Sequence, residues 1–354
     1  MRIPSAALRL GVEQEHFIFL ENGSVPSLAQ MSDVFRDLAA AGYRPRKITN
    51  DGNILSVNRD VGTGYSSIKN DFCTHVLEAA LSPCVSASEL EELYIETWHH
   101  LAIALRNHGI SIRSGAALNE SQQDLILVPH PRRSWMEQRA VPSPRPPMWD
   151  TFFTTLICAT QIHMNLLDDN FYQSLPALYA FEVLTPLLFS NSKGLLGQAA
   201  YCARPLAWRD NFALDYVVFG FPARVPKSRS EYVQMLASSR GFSRDYCFLA
   251  PRDHGTVEFR SADAQDSIAD ILELIGLKLA SVTAAKVLSK IEFSALDSDS
   301  NLFYHVCEHG ILPKTFLQKC HSHFASAESA IPEEWRLPFI GFMNRLESKI
   351  ESIN

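Results

Sequence analysis

Two glutamates one residue apart, in a run that otherwise reads as a buried β-strand, constrain this chain more than any other feature. The run is Gly11-Val12-Glu13-Gln14-Glu15-His16-Phe17-Ile18-Phe19-Leu20. Successive side chains of a strand point to opposite faces, so Glu13 and Glu15 share one face, with Phe17 and Phe19 further along it. Paired carboxylates among apolar residues repel each other and resist leaving water unless a cation sits between them or water reaches them. The stretch is therefore a solvated strand end or one wall of a cation-taking site.

Three later segments weigh on that choice. Read as a strand, Cys158–Leu167 carries Gln161, His163 and Asn165 on one face and Ile162, Met164 and Leu166 on the other. A lone histidine there is commonly a hydrogen-bonded structural residue, but one flanked by two amides on an apolar strand points to a polar cleft. In Gly255–Ser261, Thr256, Glu258 and Arg260 share a face opposite Val257 and Phe259; the Glu/Arg pair is also compatible with a surface ion pair of little worth. In the third, Glu78 lies inside an apolar strand with Asp71 at its start. A carboxylate in a strand this apolar needs a partner.

The remaining chain frames these segments. Ser27 caps a helix running to about Ala40, with Gly42 as its stop. Residues 45–80 read as short strands joined by turns at 50–53 and 62–64, which implies antiparallel hairpins. Ser88 and Glu91 have capping-box spacing for a helix ending before Gly109, whose buried stripe is Leu90, Leu93, Tyr94, Trp98, Leu101 and Leu105. A strand follows at Ile110–Ser114. Residues 119–147 are rich in Pro and Arg, notably at 129–135 and 142–147, and read as a loop at a site mouth. Asp169 can cap a helix toward Phe189, kinked at Pro186, and a long helix is expected over Asp266–Ile291. Two or three further helices close the chain over 300–354.

Bulk properties exclude several classes. A formal net charge of −7 argues against nucleic acid as the main partner. Seven cysteines, scattered and without CxxC spacing, fit a reducing compartment and neither a disulfide framework nor a zinc site. With no signal-like start and no bilayer-length apolar run, the expectation is a cytoplasmic chain without membrane partners. The hydrophobic fraction of 46% over 354 residues is ample for a core.

Together the segments describe a sheet with one apolar face under the long helices and one face bearing Glu13, Glu15, Asp71, Glu78, His163, Glu258 and Arg260. Carboxylates with one imidazole suit hard divalent cations, Mg²⁺ or Mn²⁺ rather than zinc. Metal-bound phosphates with arginines nearby are what phosphoryl transfer from ATP requires. Neither a GxxxxGK[ST] nor a GxGxxG run is present, which excludes P-loop and dinucleotide-binding readings.

These motifs resemble the glutamate–cysteine ligase family, in its short carboxylate–amine ligase branch. Gly11–Glu15 matches its opening Gly-Val/Ile-Glu-x-Glu strand, Asp71 and Glu78 its spaced acids, His163-Met164-Asn165 its His-x-Asn strand, and Thr256–Arg260 its Thr-x-Glu-x-Arg strand. Leu184–Ser192 is similar to its Pro-Leu-Leu segment ending in Ser-x-Asn-Ser, and the order holds over residues 10–270.

The resemblance implies an α+β fold of the glutamine-synthetase and guanidino-kinase kind, an antiparallel sheet curled into a half-funnel with helices on its apolar face. The chain, 1–354, is then a single catalytic domain, with sheet motifs over 10–270 and a helical part over 271–354. The implied reaction is ATP-dependent formation of a γ-glutamyl amide from an amino-acid carboxylate and an amine, as in glutathione biosynthesis, through an acyl phosphate with release of ADP. Glu13, Glu15, Asp71, Glu78, His163 and Glu258 would hold Mg²⁺ or Mn²⁺. Arg260 and Glu258 would act on the reacting groups, and Gln161, Asn165, Lys69, Arg204 and Arg252 would bind substrate or ATP. An acyl phosphate survives only where water is kept out, and the loop at 129–147 is the expected lid. Two alternatives remain: a guanidino-kinase-like phosphotransferase, and a non-catalytic metabolite-binding homologue. A homo-oligomer is compatible with either.

Overall fold

A computed structural model describes residues 8–62, 64–118, 126–128, 154–165, 171–194, 199–210, 219–222, 225–238, 246–252, 255–288 and 300–353. Among them the central strand is β1 (Leu10–Leu20), the glutamate-bearing run. Helix α1 (Leu28–Ala40) follows, opened by a capping box in which the Ser27 hydroxyl accepts from the Gln30 amide and the Gln30 side chain accepts from the Ser27 amide. It stops at Gly42, whose φ of 96° is the left-handed turn that glycine adopts without strain.

The chain then runs back and forth through β2 (Arg44–Ile48), β3 (Ile54–Val61), β4 (Gly64–Asn70) and β5 (Val76–Ala80). All these pairings are antiparallel, as the turn chemistry predicted. After α2 (Ala87–Asn107) come β6 (Ile110–Arg113) and β7 (Thr160–Met164). The two-residue strands β8 (Phe219–Gly220) and β9 (Tyr246–Cys247) pair with each other alone. Then β10 (Leu249–Pro251) and β11 (Val257–Phe259) return to the main sheet. That nine-stranded sheet has the order β10-β11-β7-β1-β5-β4-β3-β2, with β6 on the outer half of β1.

One face is roofed in two places. Ile18, Val57, Ile68, Leu77 and Ala79 meet Met31, Val34, Phe35 and Leu38 of α1 and Leu101 and Leu105 of α2. Beside them Leu10, Val12, Ile162, Met164 and Phe259 join the core that contains Ile271, Leu274 and Ile275 of the long helix Ile268–Leu288. Each such side chain contributes about 1.5–3 kcal/mol by leaving water. The other face is not polar throughout. Beyond the glutamates it turns apolar at Phe17, Phe19 and Val76, with the His75 ring stacked on Phe17. The acidic patch is thus bordered on that face by the apolar cluster of Phe17, Phe19 and Val76.

Two local expectations are corrected. The cap of α2 is Ser86, which accepts from the Glu89 amide, and not Ser88. Both serines have a glutamate three residues on, and Ser86 is the one with extended backbone. The buried stripe of α2 runs through Thr97 and Ala104, with Tyr94 and Trp98 only packed against the core edges. Helix Phe171–Glu182 gives way to Leu184–Leu188 at Val183, because Pro186 offers no N–H to the Glu182 carbonyl. Three helices, Ser300–His309, Lys314–Ala327 and Arg336–Glu351, complete the described chain. No helix among the described residues is long and apolar enough to cross a membrane.

Candidate active site

Strand register assembles the acidic window. Residues directly opposite in an antiparallel pair share a face. Lys69 on β4 stands opposite Glu78 on β5, and Glu78 stands opposite Glu15 on β1. On the other side of β1, Glu13 faces Gln161 on β7, and His163 faces Glu258 on β11. Gly11 is the residue opposite His163, so no side chain stands between the imidazole and Glu13 two residues on. Five strands thereby deliver one row of ionisable groups.

The row forms two groups of three. In each, Glu13–His163–Glu258 and Glu15–Asp71–Glu78, candidate ligand atoms lie within 4.8 Å of one another. His163 Nε2 is 3.2 Å from Glu13 Oε1. Burial opposes charge on both partners, but the hydrogen bond and opposite charges prevail, so the Glu13 carboxyl lies below its usual range and the His163 imidazole above its own. Glu258 is fully buried and carries Arg252 on one oxygen and Arg260 on the other. The pair that the sequence left open as a surface contact is therefore an interior clamp.

In the second group burial and like charges prevail. Glu15 accepts from the Ala159 amide at 2.8 Å and from Gln161 Nε2 at 3.2 Å. Burial, then the charges of Asp71 and Glu78, push its carboxyl up to about 8. Glu78 is pushed up to about 7 by burial, against the pull of Lys69, whose Nζ lies 2.9 Å away. Among the described residues the side-chain oxygen of Gln161, a residue 6% exposed, is buried without a hydrogen-bond partner. Oxygen donors at this spacing, two carboxyls pushed above their usual range and an orphaned amide oxygen all fit a hard divalent cation. The donor set therefore suits Mg²⁺ or Mn²⁺.

Glu13, Glu15, Asp71, Glu78, Lys69, Gln161, Arg204 and Arg260 line one cleft, with a cavity volume of about 140 Å³. Arg204 is 3% exposed; its Nε is 3.2 Å from Asp263 Oδ1 and its Nη2 donates to the carbonyls of Arg260 and Ala262. Asp263 in turn accepts from the Ser192 hydroxyl at 2.6 Å and the Asn191 amide at 2.8 Å. The Ser-Asn-Ser end of the 184–192 segment therefore buttresses Arg204. Four expected residues sit aside from the cleft lining: His163, on Glu13; Glu258, fully buried, with Arg252 on it; and Asn165, whose Oδ1 accepts from the Arg9 amide at 2.7 Å.

Sequence reasoning missed the cleft's apolar wall, Phe72, Ile157, Trp208 and Phe248. Trp208 had a usable signal, since it lies one helical turn after Arg204 on the helix Ala203–Trp208. The expected lid, 129–147, lies outside the described residues. Next to it, the Thr74 amide donates to the Ile126 carbonyl at 2.9 Å and the Val128 amide to that of Phe72 at 3.1 Å, which ties 126–128 to the cleft rim.

No protein-family model and no curated protein matches this chain. Solved structures do. The glutamate–cysteine ligase of Francisella tularensis in complex with AMP superposes with a TM-score of 0.59 at 13% identity, over 98% of this chain and 82% of that one. The chain shares its fold. A bifunctional glutathione synthetase from Pasteurella multocida matches at 0.56 and 13% identity, over 99% of this chain and 49% of its own length. The ligase PafA in complex with the ubiquitin-like protein Pup matches at 0.53 and 11% identity, over 98% of this chain and 64% of its own. A glutamate–cysteine ligase, the family that the motifs resemble, thus stands among the structural neighbours.

Proposed function

We propose that this chain is an ATP- and Mg²⁺-dependent carboxylate–amine ligase, working as one catalytic domain whose sheet curls as a half-funnel about the cleft. The observation that carries the reading is the pair of three-residue ligand groups on one sheet face, beside the arginine clamp on Glu258. Glu13, His163 and Glu258 would hold one ion and Glu15, Asp71 and Glu78 another; bound Mg²⁺ or Mn²⁺ would neutralise the phosphate oxygens of ATP. The residues of the chain then do the rest. Arg260, fixed by Glu258, meets the charge that develops on the transferring phosphoryl group. Arg204, held from behind by Asp263, offers its guanidinium to the substrate carboxylate. Lys69 and Gln161, which line the cleft, would meet nucleotide and substrate oxygens, and Asn165 and Arg252, outside the lining, would act from behind it.

The chemistry follows from what a carboxylate needs. It cannot be amidated in water without a leaving group, so one of its oxygens attacks the γ-phosphorus of ATP and ADP departs. An amine nitrogen then attacks the acyl carbon, loses its proton, and phosphate leaves. Glutamate as the acid and a γ-glutamyl amide as product, with cysteine the first amine to try, rest on the motif resemblance. Seven free, buried cysteines support a reducing, cytoplasmic setting.

The test is ADP release with Mg²⁺ and ATP across carboxylic acids and amines, with product mass. ADP that requires both glutamate and one amine, and a product of their summed mass less water, is the expected result. A phosphorylated amine with no amide would make the protein a phosphotransferase. ATP binding without turnover of any pair would remove the ligase assignment.

A further inference from the structure

Lys69 differs from the other cations around the cleft. Its Nζ is 2.9 Å from Glu78 Oε1, and its side chain is 33% exposed. The β4–β5 register holds it opposite Glu78, so its stem rises from the acidic face itself. The carboxylates whose charge acts on it are Glu78, Asp71 and Glu13, which belong to both ligand groups. The arginines on Glu258 sit on the first group, whereas this ammonium lies within the influence of both groups. A divalent ion on Glu15, Asp71 and Glu78 would share Glu78 with a permanent positive charge. Like charges at such range repel, most strongly where water is scarce.

We infer that the Lys69 ammonium is a resident cation of the cleft, competing with a divalent ion for the Glu15–Asp71–Glu78 group, so that this chain binds one metal ion fewer, or that ion more weakly, than its donors alone allow. The inference rests on the metal reading proposed above. It makes Lys69 a positioning residue that sets the metal requirement of the site.

The experiment is a Mn²⁺ titration of the whole chain without nucleotide, following free Mn²⁺ by electron paramagnetic resonance, for wild type, Lys69→Met and Lys69→Arg. Lys69→Met is expected to take up one more Mn²⁺, or to tighten its weakest site roughly tenfold or more. That is what even water-like screening leaves between a single and a double charge about 5 Å apart. Lys69→Arg keeps the charge and is expected to match wild type. A Lys69→Met protein that folds only with Mn²⁺ also supports the inference, because the ion then replaces the ammonium. Unchanged or weaker Mn²⁺ binding in Lys69→Met overturns it, as does a variant that fails to fold with or without Mn²⁺. If wild type binds Mn²⁺ and Lys69→Met binds it equally, only this inference falls; if neither binds, the metal reading falls with it.

Discussion

Replacing Glu15 by Gln isolates what the acidic window costs the metal-free chain. The Glu15 carboxyl lies at about 8 instead of 4.5, through burial and then the charges of Asp71 and Glu78. A carboxyl with a raised folded value holds its proton more tightly in the native state. Its contribution to stability therefore falls as pH rises from 4.5 to about 8, and is level beyond. At about 1.4 kcal/mol per pH unit the ceiling is roughly 4–5 kcal/mol, and water reaching a side chain that is only partly buried reduces this to about 2 kcal/mol. Unfolding entropies of about 2.1 cal/mol/K per residue give roughly 0.7 kcal/mol/K for 354 residues, so about 2 kcal/mol moves Tm by about 3 °C.

The substituted amide would keep an oxygen for the Ala159 N–H, now at 2.8 Å from the Glu15 carboxylate, and its NH2 would take the place of the oxygen that accepts from Gln161 Nε2, so the Gln161 amide must turn its own oxygen toward it. Thermal melts in chelator should show Glu15→Gln about 3 °C above wild type near pH 8.5, with the two converging near pH 5. Added Mg²⁺ should close most of that gap. At about a hundredfold over Kd it stabilises wild type by about 2.7 kcal/mol, roughly 4 °C, and the variant by half of that or less. A metal-free variant less stable than wild type at high pH, or one with an undiminished Mg²⁺ response, would refute the reasoning.

Other perturbations separate chemistry from scaffold. Glu13→Gln should abolish ADP release while the metal-free melt falls by about 1–3 °C, the cost of removing the charge that His163 pairs with; Glu258→Gln should also lose activity, but at a cost of about 3–5 kcal/mol, because Arg252 and Arg260 keep their charge with no carboxylate between them. Lys278→Ala should cost about 3–5 kcal/mol in a denaturant titration, since it strips the buried Glu182 of the ammonium 2.6 Å away. Gly276→Ala should cost about 1–3 kcal/mol in the same assay, because its Cβ would fall 2.1 Å from the Pro338 carbonyl oxygen. His16 is held down to about 4 by burial, below its unfolded 6.5. Stability should therefore drop as pH falls from 6.5 toward 4, by up to about 3 kcal/mol, and His16→Phe should flatten that slope in melts.

What was legible in the residues, and what was not, divides along physical lines. Hairpins announce themselves locally: the turn at 50–53 contains Gly52 with φ of 84°, and β3 begins at Ile54 as the pattern required. The alternation that put Glu13 with Glu15, and Gln161 with His163, is a property of any strand and held. Counting could not choose between Ser86 and Ser88, because both satisfy the same spacing and only backbone conformation decides. Nor could it pair β1 with β5 and β7. Register depends on contacts between segments some 65 to 150 residues apart, such as Glu15 with Glu78 and Glu13 with Gln161.

Hairpin register decides which cation serves which carboxylate, and the non-local register then gathers those pairs into one window. Glu258 could have met Arg260 alone, its neighbour two residues away; folding adds Arg252 and closes the clamp. Glu78 could have faced a neutral side chain; instead β4 brings Lys69 against it. The first group is therefore organised by two planar guanidinium groups, one on each oxygen of Glu258, and the second has the Lys69 ammonium, with no preferred plane, on Glu78. A planar guanidinium suits a residue that must aim at a developing charge, and an ammonium suits a place where positive charge must be shared with an incoming ion. The two halves of the acidic window differ in donors, an imidazole with two carboxylates against three carboxylates, and in the cations beside them. On that difference the proposed division of labour rests, with Arg260 turned toward the transferring phosphoryl group and Lys69 toward the metal.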